Sequence, residues 1–277
     1  MKLLVAFAAA LPLLAQQPDI ESIMSRVALN QAKSQDLRSQ YVYTQKQLLR
    51  MVRPGGKIAR EEHRQYTVVP KYRGVKRSLV AFTGRYESHG KYTAFDKPGY
   101  HYKGLDLDAD LLDSMSDDMT NDGNSQNGIA NDLFPLTYHQ QLKYNFEWKG
   151  SESYRGHKMY RVAFEPKKKG FDDGDAMWKG EALIDAEEYQ PVLITTSMAM
   201  KLPLAVRTLL GTDIKGLGFT VTYEKFGDGV WFPVSYGGEF QIKGVFFYRR
   251  TMSISMVNSD FRRADVNSTV AYSMDGK

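Results

Sequence analysis

Hydrophobic and polar residues alternate along most of this chain, and the segment from residue 178 to residue 200 shows the pattern most clearly. Two halves rich in aromatic and β-branched residues flank a polar stretch at residues 185–188, which is typical of a hairpin between antiparallel strands. In the second half Ile194 and Met198 share one face while Leu193 falls on the other, so both faces are apolar. This strand is therefore predicted to lie in the middle of a sheet that is covered on both sides.

The same alternation predicts a strand-rich fold for the rest of the chain. Strands are predicted at residues 41–44, 45–69 (a long hairpin around 53–57), 78–86, 142–150, 157–165, 216–226, 230–243 and 245–258. One helix is expected after its N-cap Asp19, because Ile23, Met24 and Val27 recur at helical spacing. A second helical portion is expected up to about residue 119. The pattern predicts a mainly β (α+β) fold in which the first helix covers one face of an antiparallel meander.

Length and composition favour one large domain over two small ones. The 277 residues are 42% hydrophobic, and the net charge of +5 is too mild to imply nucleic acid. Residues 1–15, with one lysine before an apolar run, resemble a signal peptide, so we expect an exported, periplasmic protein with its single domain at 16–277. There is no cysteine for disulfides or a lipid-modified N-terminus, and no later stretch is predicted to cross a membrane.

Charge is strongly segregated along the chain. Residues 46–85 carry eleven Lys and Arg against two Glu, which indicates either solvated edge strands or a basic surface for anionic headgroups or an acidic partner. Residues 104–142 carry eight Asp and no Lys or Arg, and are predicted to be an acidic insertion that folds over the basic strands. The spacing of Asp106, Asp108 and Asp110 is similar to that of a calcium loop, but Leu111 occupies the position where such loops need glycine.

Catalytic motifs are not recognisable in the sequence. A Ser-x-x-Lys match at Ser88 lacks its companion motifs, and the five histidines are scattered without ligand spacing. We therefore predict a protein that is not an enzyme and needs no metal or cofactor, while a hydrolase whose acidic or histidine groups meet only in the fold stays a third hypothesis.

The candidate site is the apolar side of the predicted sheet. If the sheet curls, its concave side must be filled either by the protein itself, as an ordinary core, or by a ligand. The residues expected to line it are Tyr144, Phe146, Trp148, Val162, Phe164, Ile194, Met198, Phe219 and Val221. Leu204 and Leu209 belong to a short apolar segment that is interpreted either as a core-packed turn or as a gate at the mouth of a cavity.

Several segments together resemble secreted bacterial proteins of the outer membrane lipoprotein-sorting (LolA-like) family. They are the amphipathic first helix, the strand at residues 178–185, the following Pro191 and Val192, and the Gly-Val-Trp-Phe-Pro run at residues 229–233. The resemblance implies a curved antiparallel sheet that forms an unclosed β-barrel, covered by the N-terminal helix and short helical segments, with a concave side that receives acyl chains.

The sequence supports two hypotheses for the function of this protein. The first is a non-enzymatic periplasmic carrier or sensor that binds an acylated lipid or lipoprotein. The alternative is a cell-envelope scaffold that binds a protein partner or anionic headgroups through the charged region 46–142.

Overall fold

The computed structural model describes residues 18–71, 74–120, 135–167, 178–199, 213–227, 229–244 and 247–264. The predicted signal peptide at residues 1–15 and the apolar residues Leu204 and Leu209 lie outside this part of the chain. The helices are α1 (Ile20–Arg38), α2 (Leu107–Thr120) and α3 (Tyr138–Gln141). The strands are β1 (Tyr41–Val52), β2 (Ile58–Pro70), β3 (Val75–Ser88), β4 (Lys91–Phe95), β5 (Tyr144–Tyr154), β6 (His157–Pro166), β7 (Trp178–Asp185), β8 (Pro191–Met198), β9 (Asp213–Lys215), β10 (Thr220–Phe226), β11 (Val230–Lys243) and β12 (Arg249–Arg263).

One antiparallel sheet organises the described chain. Its strands follow the order β4-β3-β2-β1-β12-β11-β10-β8-β7-β6-β5, and β9 pairs with the far end of β11. The sheet is curved and unclosed, with β4 and β5 at its two edges, which confirms the predicted fold class. The pairing of β1 with β12 joins the first strand to the last, with Leu49 opposite Ile254.

Helix α1 lies on the inner side of the sheet, next to β11 and β5. As predicted, Asp19 caps it, accepting hydrogen bonds from the backbone N–H groups of Glu21 and Ser22 at 3.2 Å. The helix continues further than its apolar stripe, because the buried face turns polar instead of ending: Gln31 and Arg38 are buried in the last two turns.

The hairpin of β7 and β8 has the predicted central position, since β8 pairs with β7 on one side and with β10 on the other. Its turn is closed by Asp185, whose carboxylate accepts hydrogen bonds from the backbone N–H groups of Glu187 and Glu188. The strands approach closely at Gly180, where an added Cβ would lie 1.9 Å from the carbonyl oxygen of Thr195. Only glycine fits there.

The position of the basic strand β2 in the sheet contradicts one of the two interpretations of the basic segment. The basic segment was interpreted as solvated edge strands, but β2 lies between β1 and β3, well inside the sheet. Its residues Arg60, Glu62 and Arg64 are buried. The edge is instead the short strand β4, which the sequence did not predict. In the described residues, none of the helices has the length and apolar character needed to span a membrane.

Candidate functional site

An apolar row crosses five neighbouring strands on the inner side of the sheet. The register places Val221 opposite Ile194, Ile194 opposite Ala182, Ala182 opposite Val162, and Val162 opposite Trp148. Directly paired residues share a face. The row thus runs from β10 to the edge strand β5 without a polar side chain.

The other predicted residues of this surface fall on the same side. Phe146 pairs with Phe164 between β5 and β6, and Met198 pairs with Trp178 between β8 and β7. The ring of Trp178 lies 5.1 Å from that of Phe219. The structure therefore brings together all nine described residues that the sequence grouped, and their contact with a ligand stays a prediction.

Most of this surface is already covered by the protein. Six of the nine are buried in the main core: Tyr144, Val162, Phe164, Ile194, Phe219 and Val221. Ile23, Met24 and Val27 of α1 belong to the same core. Phe146, Trp148 and Met198 stay partly exposed. The part of this apolar surface that is open to a ligand therefore lies towards β5 and the end of β8.

Two tryptophan side chains on this apolar surface have an indole N–H group without a hydrogen-bond partner in the described residues. The Nε1 atoms of Trp148 and Trp178 are buried and have no hydrogen-bond partner in the described structure. Buried indole N–H groups usually find an acceptor.

The inner face of β1, β2 and β12 carries buried polar groups. On β1 and β12, the amide of Gln45 donates to Asn258 at 3.2 Å, and the amide of Gln47 donates to Gln45 at 3.3 Å. On β2, the guanidinium of Arg60 donates to the carboxylate of Glu62 at 2.7 Å, and Arg64 binds the other oxygen of Glu62. The inner surface thus has an apolar half on β5–β8 and β10. Its other half, on β1–β3 and β12, combines these polar groups with the buried core residues Leu49, Met51, Met252, Ile254 and Met256, and is called the polar half below.

Helix α2 covers the polar half through ion pairs. Asp106, just before the helix, pairs with Arg60 at 3.2 Å, and Asp113 pairs with Arg64. At the other side, Asp108 accepts hydrogen bonds from Arg250 Nε at 2.8 Å. The prediction that part of the acidic segment folds over the basic strands thus holds for its described helix.

Asp108 also shapes the electrostatics around it. It accepts a hydrogen bond from the hydroxyl of Tyr248 at 2.7 Å. Burial, followed by the negative charge of Asp108, raises the pKa of that hydroxyl well above its ordinary value. Tyr248 therefore stays a neutral donor.

The three aspartates with calcium-like spacing do not converge on one point. Asp106 binds Arg60 and the backbone N–H of Ala109, Asp108 binds Arg250, and Asp110 binds His101 at 2.8 Å. Each carboxylate thus has its own partner. No group of three or more His, Asp or Glu side chains arranged to hold a metal ion occurs in the described part of the chain.

The charged residues of the polar half were missed at the sequence level. Arg60, Glu62 and Arg64 follow each other at period two with alternating sign, so that one strand face carries its own ion pairs. That signal was present. The basic excess of the whole segment concealed it, because counts of charge do not distinguish the two faces of a strand.

The outer surface of the sheet carries clefts that lack the predicted residues. One of about 430 Å³ is lined by charged pairs including Arg161 and Glu181, and another of about 470 Å³ lies beside Lys46 and His63.

The carboxylate of Glu61 also lies on the outer surface. Burial alone would raise the pKa of Glu61, but its ion pairs with Arg50 and Arg85 hold that pKa below the usual value.

Comparison with solved structures finds distant likenesses. No family model matches the chain, and no curated protein matches it. An outer membrane lipoprotein-sorting protein domain from Vibrio parahaemolyticus is similar to it at 12% identity and TM-score 0.41, over 90% of this chain and 94% of that one. A DUF1329 family protein from Desulfovibrio piger is similar at 13% identity and TM-score 0.36, over 91% of this chain and 96% of that one. A LolA superfamily protein from Nitrosomonas europaea is similar at 10% identity and TM-score 0.35, over 90% and 96%.

The first and the third of these structures carry the name of the lipoprotein-sorting (LolA-like) proteins that the sequence resembles. Identities this low and TM-scores below 0.5 mark a distant likeness, which says nothing about ligand or partner.

Proposed function

We propose that this protein is a non-enzymatic carrier or sensor that holds an acyl chain of a lipid or lipoprotein against the apolar half of its inner surface. One observation carries the proposal: the apolar row from Val221 to Trp148 ends at an edge strand, where Phe146 and Trp148 are partly exposed. Partly exposed aromatic residues that continue a buried apolar surface are typical of a binding site for an apolar ligand.

The energetics of such binding are favourable. A chain of about fourteen methylenes contributes roughly 11 kcal/mol at about 0.8 kcal/mol for each buried CH₂ group, before the costs of association. Burying only half of the chain leaves roughly 5 to 6 kcal/mol. Because association itself costs roughly 4 to 15 kcal/mol, measurable binding requires burial of most of the chain.

The test is direct. Organic extraction of the purified protein followed by mass spectrometry is expected to yield a bound acylated molecule, and delipidated protein is expected to take up a fluorescent C16 fatty-acid probe.

Phe146→Ala should weaken uptake of this probe by about tenfold, since roughly 1.5 to 3 kcal/mol accompanies full burial of such a side chain. Phe226→Ala is the matched control, because Phe226 is also a partly buried strand residue but packs against Phe232 and Phe261 instead.

Delipidated protein that takes up no acyl probe would contradict the proposal. Equal effects of the two phenylalanine substitutions would place the ligand elsewhere.

We also propose export to the periplasm, with removal of residues 1–15. N-terminal sequencing of the protein recovered from a periplasmic fraction is expected to begin at Gln16. Retention of Met1 on the recovered protein would contradict it.

The envelope-scaffold alternative finds less support. It needs basic side chains that are free to bind a partner, whereas Arg50 pairs with Glu61, Arg53 pairs with Glu87, and Arg60 is fully buried. These charges are already neutralised within the sheet.

A further inference from the structure

The guanidinium of Arg38, in the last turn of α1, is buried with no carboxylate beside it in the described part of the chain. Its exposed fraction is 3%, and none of the carboxylates in the described residues forms an ion pair with it. A buried charge normally has an opposite charge beside it, because removal from water is costly. Arg60 and Arg64, on the inner face of β2, follow this rule.

The partners that Arg38 does have are neutral. Its Nη2 donates to the side-chain oxygen of Gln31 at 3.0 Å, and the amide of Gln31 donates to Gln190 at 2.6 Å. Gln190 in turn donates to the hydroxyl of Ser34 at 2.9 Å. The Nε atom of Arg38 is buried and has no acceptor in the described structure.

A second buried donor without a described partner lies on β1. The hydroxyl of Tyr43, on the inner face of β1, is buried and has no hydrogen-bond partner among the described groups. Burial raises the pKa of Tyr43, while the charges of Arg77 and Arg38 oppose that rise, so both cations lie within electrostatic reach of its hydroxyl. Burial also lowers the pKa of Arg38. Among the described residues, Arg38 Nε and the Tyr43 hydroxyl thus have no acceptor, and the charge of Arg38 has no carboxylate beside it.

The other contacts of Arg38 do not supply a negative charge. The guanidinium carbon lies 6.0 Å from the centre of the Tyr223 ring, at the limit of a cation–π contact. The negative end of the α1 dipole is favourable for a cation in the last turn, but its partial charge does not replace an anion.

The region is continuous with the apolar half of the inner surface. Tyr223 and Val221 lie two residues apart on β10 and are both buried, so they share its inner face. Val221 begins the apolar row that ends at Trp148. Arg38 and the apolar row therefore lie on one continuous inner surface.

We infer that the ligand is an anionic amphiphile whose carboxylate or phosphate accepts hydrogen bonds from Arg38 Nε and the Tyr43 hydroxyl, while its acyl chain follows the apolar row. This inference rests on the proposed function and specifies the class of ligand. An anion completes the hydrogen bonding of both donors and neutralises the buried cation.

The experiment compares probes with the same C16 chain and different head groups. Palmitate and hexadecyl phosphate carry the two anionic heads, and hexadecanol is neutral. Dissociation constants are measured with the delipidated full chain by calorimetry or by displacement of a fluorescent acyl probe. We expect the wild type to bind at least one anionic probe about tenfold or more tightly than hexadecanol, since hydrogen bonds to charged groups are the strong ones.

Arg38→Met is expected to remove this preference and to change hexadecanol binding by less than about twofold, because it leaves the apolar row intact. Lys33→Met is the matched control, since it removes the same charge from an exposed position of the same helix and should leave the preference unchanged. Thermal melts monitor folding. Tyr43→Phe removes one hydroxyl only, so it tests the site even if Arg38→Met destabilises the protein.

The outcomes separate the two proposals. Binding of all three probes with equal affinity, or an anionic preference that survives both Arg38→Met and Tyr43→Phe, overturns the head-group inference and leaves acyl binding standing. Binding of none of the probes by the wild type overturns the proposed function itself. Preference for palmitate identifies a carboxylate and preference for hexadecyl phosphate identifies a phosphate, and either supports the inference.

Discussion

Helix α2 is held over the polar half of the inner surface by its carboxylates, and Asp108→Asn is the substitution that tests this best. Asp108 accepts hydrogen bonds from the Tyr248 hydroxyl at 2.7 Å and from Arg250 at 2.8 and 3.2 Å. The helix buries Ala109 and Leu112 completely beneath it. Loss of the Asp108 charge is expected to loosen α2 while leaving the sheet folded.

The magnitude follows from the burial of the pair. Arg250 and Asp108 have side-chain exposures of 17% and 15%, which is between a surface pair and a fully buried one. Exposed pairs contribute about 0 to 1 kcal/mol, and breaking a buried pair costs about 3 to 5 kcal/mol. We therefore expect a cost of about 2 kcal/mol, which corresponds to roughly a 30-fold increase in the open population of α2.

The assay is native-state amide hydrogen exchange, resolved to the peptide that covers residues 107–120. Exchange there should accelerate by roughly 30-fold while exchange in β7 and β8 stays unchanged, because local opening does not require global unfolding. Asp110→Asn is the matched control. Both aspartates lie in the first turn, where the helix dipole favours a carboxylate, but Asp110 pairs with the exposed His101.

Equal acceleration by the two variants would refute the reasoning, because the effect would then come from the helix dipole and not from the ion pair. Acceleration throughout the sheet would show instead that α2 is part of the global folding unit.

The remaining predictions concern the cap of α1, the closest strand approach and one histidine. Asp19→Ala is expected to lower the free energy of unfolding by about 1 kcal/mol in urea titrations, since two backbone N–H groups lose their acceptor. Gly180→Ala is expected to cost about 3 kcal/mol or more, because the new Cβ would lie 1.9 Å from the Thr195 carbonyl oxygen; thermal melts measure it. The hydrogen bond that His101 donates to the Asp110 carboxylate raises the pKa of His101 above its ordinary 6.5. The stability from this pair is therefore fully present below pH 6.5 and is lost as the pH rises through the folded-state pKa, and His101→Gln should remove that dependence in unfolding titrations.

Each of these predictions has a control or a contrary outcome. Gly104→Ala adds a Cβ that meets nothing within 4 Å, so a loss of stability equal to that of Gly180→Ala would contradict the steric reasoning. A helix that keeps its stability without Asp19 would show that packing against β11 alone holds its first turn. Unchanged pH dependence in His101→Gln would mean that the pair with Asp110 does not contribute to folding.

Much of the local structure could be predicted because strand alternation and helix capping are properties of neighbouring residues. The hairpin of β7 and β8, the cap at Asp19 and the shared face of Phe146 and Trp148 all follow from spacing along a few residues. Those features also placed the apolar half of the candidate site. They required no knowledge of which strands become neighbours.

The polar half was decided by tertiary structure alone. The register of β1 and β12 pairs Leu49 with Ile254, across about two hundred residues of sequence, and no local pattern specifies such a partner. Arg60 is buried because the carboxylates of Glu62 and Asp106 neutralise it, and Arg38 is buried where the end of α1 meets β10. The sequence by itself determined which strand faces are apolar, whereas the burial of a charge depends on what the fold brings next to it, because only a nearby partner offsets the cost of desolvation.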